Sequence, residues 1–271
     1  MKQLIVEDLT IIDTWENRPL VKNVNFKVEK GETLGIIGES GSGKSITCKS
    51  LIGLNPKRLS VQGRIHFDGV NMLTLSEAQL KKYRGKHIAM VMQQGSRAFD
   101  PSTTVGKQMF EAMKVHTGLS RAQIEDELIE HMDFMSLKNP RKILKSYPYM
   151  LSGGMLQRLM IALALALKPK LIIADEPTTA LDTITQYEVL EAFQNINQHF
   201  DCAIIFISHD LTVINNIADS VVVMRNGELV EKGTKDKVLY NPQHGYTQYL
   251  LSTKKKINDH FKQVMRGDRN A

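Results

Sequence analysis

Thr33-Leu34-Gly35-Ile36-Ile37 runs straight into Gly38-Glu39-Ser40-Gly41-Ser42-Gly43-Lys44-Ser45, and Ile46-Thr47-Cys48-Lys49-Ser50-Leu51 follows. An apolar, β-branched run, a glycine loop and then helix-compatible residues to about Gly53 read as strand, loop, helix. The loop fits G-x-x-x-x-G-K-[S/T] at every fixed position. Its glycines let the backbone curl so that successive N–H groups point at phosphate oxygens. The helix that starts there adds the positive end of its dipole. Lys44 is placed to reach the β- and γ-phosphates, and the Ser45 hydroxyl to ligate Mg²⁺. The candidate nucleotide site is therefore Gly38 to Ser45, with Ile46 next along the helix.

A Mg²⁺–nucleotide site needs a further acid. Leu171-Ile172-Ile173-Ala174-Asp175-Glu176 supplies one, as an apolar strand that ends in two carboxylates. Asp175 would hold Mg²⁺ through water. Glu176, one residue on, would polarise an attacking water.

Outward from these two stretches the chain keeps an α/β rhythm. Residues 3–9, 20–28, 64–68 and 87–92 read as strands, and Ala203–Ile207 as a strand buried on both faces. Ser220–Met224 and Glu228–Val230 flank Asn226-Gly227, a hairpin turn signal. Residues 120–135 read as an amphipathic helix capped by Ser120, and 151–167 as a buried one. From about 94 to 155 the character is mostly helical, interrupted at Asn139-Pro140 and Tyr147-Pro148. The expected domain is 1–251 with a helical insert over about 94–155, followed by a basic tail at 252–271.

The chain has 271 residues, 42% hydrophobic and 24% charged, which excludes collagen-like, disordered and disulfide-scaffold classes. Cys48 and Cys202 form no CxxC or zinc pattern and read as buried free thiols. The eight histidines make no HExxH or tight ligand cluster, so a site for transported metal is not expected on this chain. The longest apolar run, Leu159–Leu167, has nine residues, too few to cross a bilayer. The N-terminus MKQLIVEDLT carries acids and lacks an apolar signal core, so a cytoplasmic protein is expected. A net charge of +6 is spread along the chain, with no basic, aromatic-interleaved surface of the kind that binds nucleic acid.

Leu151-Ser152-Gly153-Gly154-Met155 precedes Asp175-Glu176, and His209 follows a later apolar strand. The ordered set resembles the ATP-binding cassette family over nearly the whole chain. That resemblance implies an α/β fold: a RecA-like P-loop NTPase core with an antiparallel β subdomain and an inserted α-helical subdomain. It implies an ATPase using ATP and Mg²⁺. By the same resemblance Gln93 is the glutamine that senses the γ-phosphate and Mg²⁺. Ser45, Gln93 and Asp175 would then serve Mg²⁺, Glu176 is the general base, and His209 contacts the γ-phosphate. Asp182 matches the D-loop aspartate. Ser152, Gly153, Gly154 and Met155 form a signature offered to the nucleotide of a second subunit, so that ATP lies between two chains head to tail. Met155 stands where the family commonly has glutamine. Trp15 is the aromatic nearest to the family's adenine-stacking position, and packing on the sheet surface is the alternative for it.

IAMVMQQGSRAFDPSTTVGKQ (88–108) and NPQHGYTQYLL (241–251) are similar to stretches in importers of dipeptides, oligopeptides and nickel. GSGKSITCKSLIGLNP is similar to nickel-importer ATPases and to a Gram-positive system for metal complexes of an opine-type metallophore. The resemblance implies two transmembrane permeases, docked through the helical insert, and a second cassette ATPase. An extracellular solute-binding protein would act indirectly, with this chain peripheral on the cytoplasmic side of the membrane. Cargo is open between nickel/cobalt or metal–metallophore complexes and peptides. The alternative is a soluble, non-transport cassette ATPase acting on nucleic acid or ribosomes.

Overall fold

A computed structural model describes residues 2–179 and 181–253. Of the expected basic tail, residues 252 and 253 continue a helical stretch over 245–253, and the rest lies outside the described residues.

β1 (Lys2–Asp13) and β2 (Arg18–Glu29) pair antiparallel. Both outrun the stretches expected from alternation. The cause is bulging: register shifts between Val6 and Leu9, and Asp8 takes φ 51°. A bulge inserts one residue and reverses the in/out phase, so a strict period-2 reading stops there. β3 (Thr33–Ile37) leads through the glycine loop into α1 (Lys44–Ser50). β4 (Leu59–Phe67) and β5 (Val70–Asn71) return to complete a sheet of order β2-β1-β4-β5. α2 (Glu77–Tyr83) begins at a reciprocal capping box between Ser76 and Gln79, and β6 (Ile88–Val91) follows.

The chain then turns helical. α3 (Val105–His116), α4 (Arg121–Phe134), α5 (Pro140–Leu144) and α6 (Gly153–Ala166) separate β6 from β7 (Leu171–Asp175). Ser120 caps α4 with Gln123 as reciprocal partner. Pro140 opens α5, where its missing N–H costs nothing. α7 (Thr183–His199), β8 (Ala203–Ile207), α8 (Leu211–Ile217), β9 (Ser220–Arg225), β10 (Glu228–Thr234) and α9 (Lys235–Tyr240) complete the order. β9 and β10 form the hairpin expected around Asn226-Gly227. Both turn residues have positive φ, 48° and 81°, as the favoured two-residue hairpin turn requires.

The second sheet has the order β10-β9-β3-β8-β7-β6, with β10 the antiparallel edge on otherwise parallel strands. β3, β7 and β8 at its centre are buried along their whole length because both faces are covered. Alternate side chains go to different cores. Leu171, Ile173, Ile205, Ile207, Val222 and Met224 face the antiparallel sheet and α1. Ile172, Ala174, Ile204, Phe206, Val221 and Val223 face the helices, in a core that continues through α6 into α3 and α4. Cys48 and Cys202 are buried and free; burial lifts both thiols, Cys202 to about 12. No helix among the described residues is long and apolar enough to cross a membrane.

Candidate functional site

The site lies at the C-terminal ends of four neighbouring parallel strands. β3 delivers the glycine loop, β6 delivers Gln93, β7 delivers Asp175 and Glu176, and β8 delivers His209. Ligands of open α/β sheets bind at this edge, where the loops are free to vary.

The loop curls around Lys44. Its Nζ donates to the Gly38 carbonyl at 2.9 Å and the Glu39 carbonyl at 2.8 Å, and the residue is only 5% exposed. Burial lowers the Lys44 ammonium's pKa, opposed by the charges of Glu176 and Asp175. Gly38 admits no side chain: a Cβ there would lie 2.2 Å from the Met224 carbonyl oxygen. The hairpin tip braces the loop from outside, since the Gly227 N–H donates to the Ser42 carbonyl at 3.1 Å. Gly43, at the N-terminus of α1, provides no side-chain cap. The opening amides of that helix are thus left for a ligand, as an anion-binding helix start requires.

Ser45 Oγ donates to Asp175 Oδ1 at 2.8 Å. Burial raises the Asp175 carboxyl, with the Ser45 hydrogen bond working against it. Glu176 has φ 47°, a left-handed conformation rare outside glycine, held by its N–H donating to the Ile207 carbonyl at 3.1 Å. Its Oε2 gathers three side chains: Gln93 Nε2 at 3.1 Å, Thr179 Oγ1 at 3.0 Å and His209 Nδ1 at 3.3 Å. Ser40, Gly41, Gly43, Ser45 and Ile46 face Gln93, Asp175 and Glu176 across a cavity of about 230 Å³. A second cavity of about 380 Å³ lies beside it, reached by Gly38, Glu39, Glu176 and His209. Ser42 is buried in the loop. The Ser45 hydroxyl, the Asp175 carboxylate and the Gln93 amide oxygen are hard oxygen donors, which suit Mg²⁺.

Other expected residues stand apart from this cluster. Ser152 caps α6, its Oγ accepting the Met155 N–H at 3.2 Å. Gly154 abuts the start of α7, where a Cβ would lie 2.6 Å from Thr185 Cγ2. Asp182 caps α7, accepting the Thr185 N–H at 3.0 Å. Trp15 occupies the β1–β2 turn, 79% exposed, with the Arg58 guanidinium 5.3 Å over its ring. That exposure removes the alternative of packing on the sheet surface.

Three contributors escaped sequence reasoning. Thr179 needed the turn after Glu176 to reach it. Gln157 is 2% exposed on α6; its Oε1 accepts the Gly95 N–H at 2.7 Å and its Nε2 donates to the Met92 carbonyl at 3.0 Å. It thereby ties the segment carrying Gln93 to the helix. Its signal was slight, a glutamine beside Arg158 just before the apolar run Leu159–Leu167. Tyr246, far along the chain, touches the loop itself.

A phosphate-binding loop between strand and helix, with paired acids at a neighbouring strand end, defines a P-loop nucleotide site on a RecA-like core. Residues 21–179 match the family model described as ABC transporter. The metal-staphylopine import system ATP-binding protein of Staphylococcus aureus is 77% identical over 268 residues, 99% of each chain. The oligopeptide transport ATP-binding protein of Bacillus subtilis is 43% identical over 235 residues, 86% of this chain and 66% of that one. A solved dimeric ATP-binding cassette in a post-hydrolysis state, bound to ADP and Pi, superposes with TM-score 0.76 at 26% identity, covering 86% of this chain and 98% of that one. The chain belongs to the ABC transporter family. It is an ATP-binding subunit with that family's ATPase activity.

Proposed function

We propose that this chain powers an importer of metal–metallophore complexes. It works as one of two cassettes beneath two membrane permeases, on the cytoplasmic side, with cargo delivered by an extracellular solute-binding protein. The observation that carries the reading is 77% identity across 99% of both chains to an ATP-binding protein of a metal-staphylopine import system. Peptide cargo is the second reading, favoured by 43% identity to an oligopeptide transport ATP-binding protein.

Within the site, Gly38 to Ile46 cradle the phosphates and the Lys44 ammonium takes up their charge. Ser45, Gln93 and, through water, Asp175 would hold Mg²⁺, which would supply charge neutralisation on the phosphates. Glu176 accepts the proton of the attacking water. Gln93, Thr179 and His209 converge on its Oε2 and aim the carboxylate. His209 also contacts the γ-phosphate. Trp15 offers an exposed ring face to adenine. Ser152, Gly153, Gly154 and Met155 close over the nucleotide of the partner cassette, with Asp182 at the same interface. Binding of ATP joins the cassettes and hydrolysis loosens them, which biases a two-state transporter.

The test is purification from native membranes in mild detergent. Two polytopic membrane proteins and a second cassette should accompany the chain. ATP turnover of that complex should fall by about 10²-fold or more with Glu176→Gln, the usual worth of a general base. Recovery of ribosomes or DNA-processing proteins without a membrane component would overturn the transport reading, and wild-type turnover by Glu176→Gln would overturn the assignment of the base.

A further inference from the structure

Beyond α9, residues 241–250 fold back onto the phosphate loop. Glu231 on β10 anchors them, with Oε1 accepting the Gln243 N–H at 2.8 Å and Oε2 the His244 N–H at 3.2 Å. Tyr246 follows, only 5% exposed, its own N–H donating to His244 Nδ1 at 3.1 Å. The Arg225 guanidinium covers its ring at 4.7 Å. Leu250 lines the 380 Å³ cavity together with Glu39, Glu176 and His209.

The Tyr246 hydroxyl accepts the Glu39 N–H at 3.3 Å. That N–H shares one planar peptide unit with the Gly38 carbonyl. The Gly38 carbonyl in turn accepts Lys44 Nζ at 2.9 Å. One peptide is therefore held at both ends, by the phenol on its N–H and by the ammonium on its oxygen. Such a chain of hydrogen bonds polarises each member in the same sense. The restraint matters here because the residue preceding that N–H is glycine, at φ 152°, with no side chain to hold the plane.

We infer that Tyr246 is a positioning residue for nucleotide binding: its hydroxyl fixes the Gly38–Glu39 peptide plane, and through it the Lys44 ammonium. The inference rests on the reading of Gly38 to Ser45 as the ATP loop. A tyrosine that merely fills space would act through its ring, and the phenol oxygen would be dispensable.

Tyr246→Phe separates the two roles, because it keeps the ring and the Arg225 contact and deletes one oxygen. Binding of a fluorescent ATP analogue is measured on the full chain, and KM and kcat on the complex. Tyr246→Phe should raise Kd and KM by about 2- to 10-fold, the range of one net hydrogen bond, and leave kcat in place. Tyr240→Phe is the control. It deletes the hydroxyl that donates to Asn215 Oδ1 at 2.7 Å, away from the loop, and should leave Kd and KM unchanged. Amide exchange at Glu39 should quicken in Tyr246→Phe and not in Tyr240→Phe. An unchanged Kd with a lowered melting temperature would make Tyr246 a packing residue and overturn the inference, as would an unchanged Glu39 exchange rate. Wild-type chain and Lys44→Ala are titrated alongside. If wild type binds and Lys44→Ala does not, the loop reading stands whatever Tyr246→Phe does. If Lys44→Ala binds like wild type, the loop reading falls and this inference with it.

Discussion

Asp175 and Lys44 are both charged groups taken largely out of water, at 8% and 5% exposure. Burial pushes their pKa values in opposite directions, the carboxyl up and the ammonium down. Each shift means that the ligand-free protein holds its charged form at a cost. For Asp175 the consequence has a definite sign. The folded protein keeps the proton to higher pH than the unfolded chain, so between the two pKa values it binds more protons. Stability therefore falls as pH rises from the ordinary carboxyl value of 3.8 through the raised one, and the penalty is full at neutral pH. Asp175→Asn removes the penalty, and its amide oxygen still accepts from Ser45. The variant should melt above wild type at pH 7 while losing Mg²⁺-dependent turnover, and its advantage should vanish as pH drops below 3.8. Thermal melts of the ligand-free chain across pH decide it: a variant less stable than wild type at neutral pH would show that the buried carboxylate is not a liability.

Gln157 works through an element, since it joins α6 to the segment that carries Gln93. Replacing it with leucine keeps the volume but orphans the buried Gly95 N–H and releases the Met92 carbonyl. An unsatisfied buried polar group costs about 1–3 kcal/mol. Gln157→Leu should lose that much stability in denaturant unfolding and slow turnover by about tenfold, the factor that ~1.4 kcal/mol of lost positioning represents. Nucleotide affinity should hold, because the contacts of Gly38 to Ser45 are elsewhere; weakened binding with intact turnover would contradict this. Gln157 also marks where sequence reading stops. The loop, the acids of β7 and the apolar runs of β3, β7 and β8 were legible because local spacing carries their meaning. The full length of β1 was not, since a bulge at Asp8 reverses its alternation. α7 buries Val189, Ala192, Phe193 and Ile196, a helical spacing that the sequence does carry. Gln157 to Gly95 and Tyr246 to Glu39 join residues 62 and 207 positions apart, and no local pattern encodes such contacts.

At the scale of the molecule, the six-stranded sheet serves as a platform with two faces in two cores, and the cluster around Lys44, Asp175 and Glu176 sits at the C-terminal ends of its parallel strands. Phe206 is the side chain that tests this. It is fully buried on β8, one residue before the strand's end, edge-to-face with Phe193 at a centroid distance of 5.1 Å. β8 lies between β3, which carries the phosphate loop, and β7, which carries Asp175 and Glu176. Phe206→Ala should cost about 3–5 kcal/mol, the transfer and cavity penalty of a buried phenylalanine. The loss falls on the whole sheet, because the strand pairs with both neighbours along its length. The geometry at the strand ends is set by backbone pairing and by the loop's own hydrogen bonds, so the folded fraction should bind ATP with wild-type affinity. Saturating ATP should then restore stability by the same increment in variant and wild type, since linkage depends only on ligand concentration and Kd. Melting temperatures with and without nucleotide, set beside Kd at a permissive temperature, separate the cases. A Kd that weakens in step with the lost stability would mean that core packing tunes the site directly, and the sheet would then be part of the binding device rather than its support.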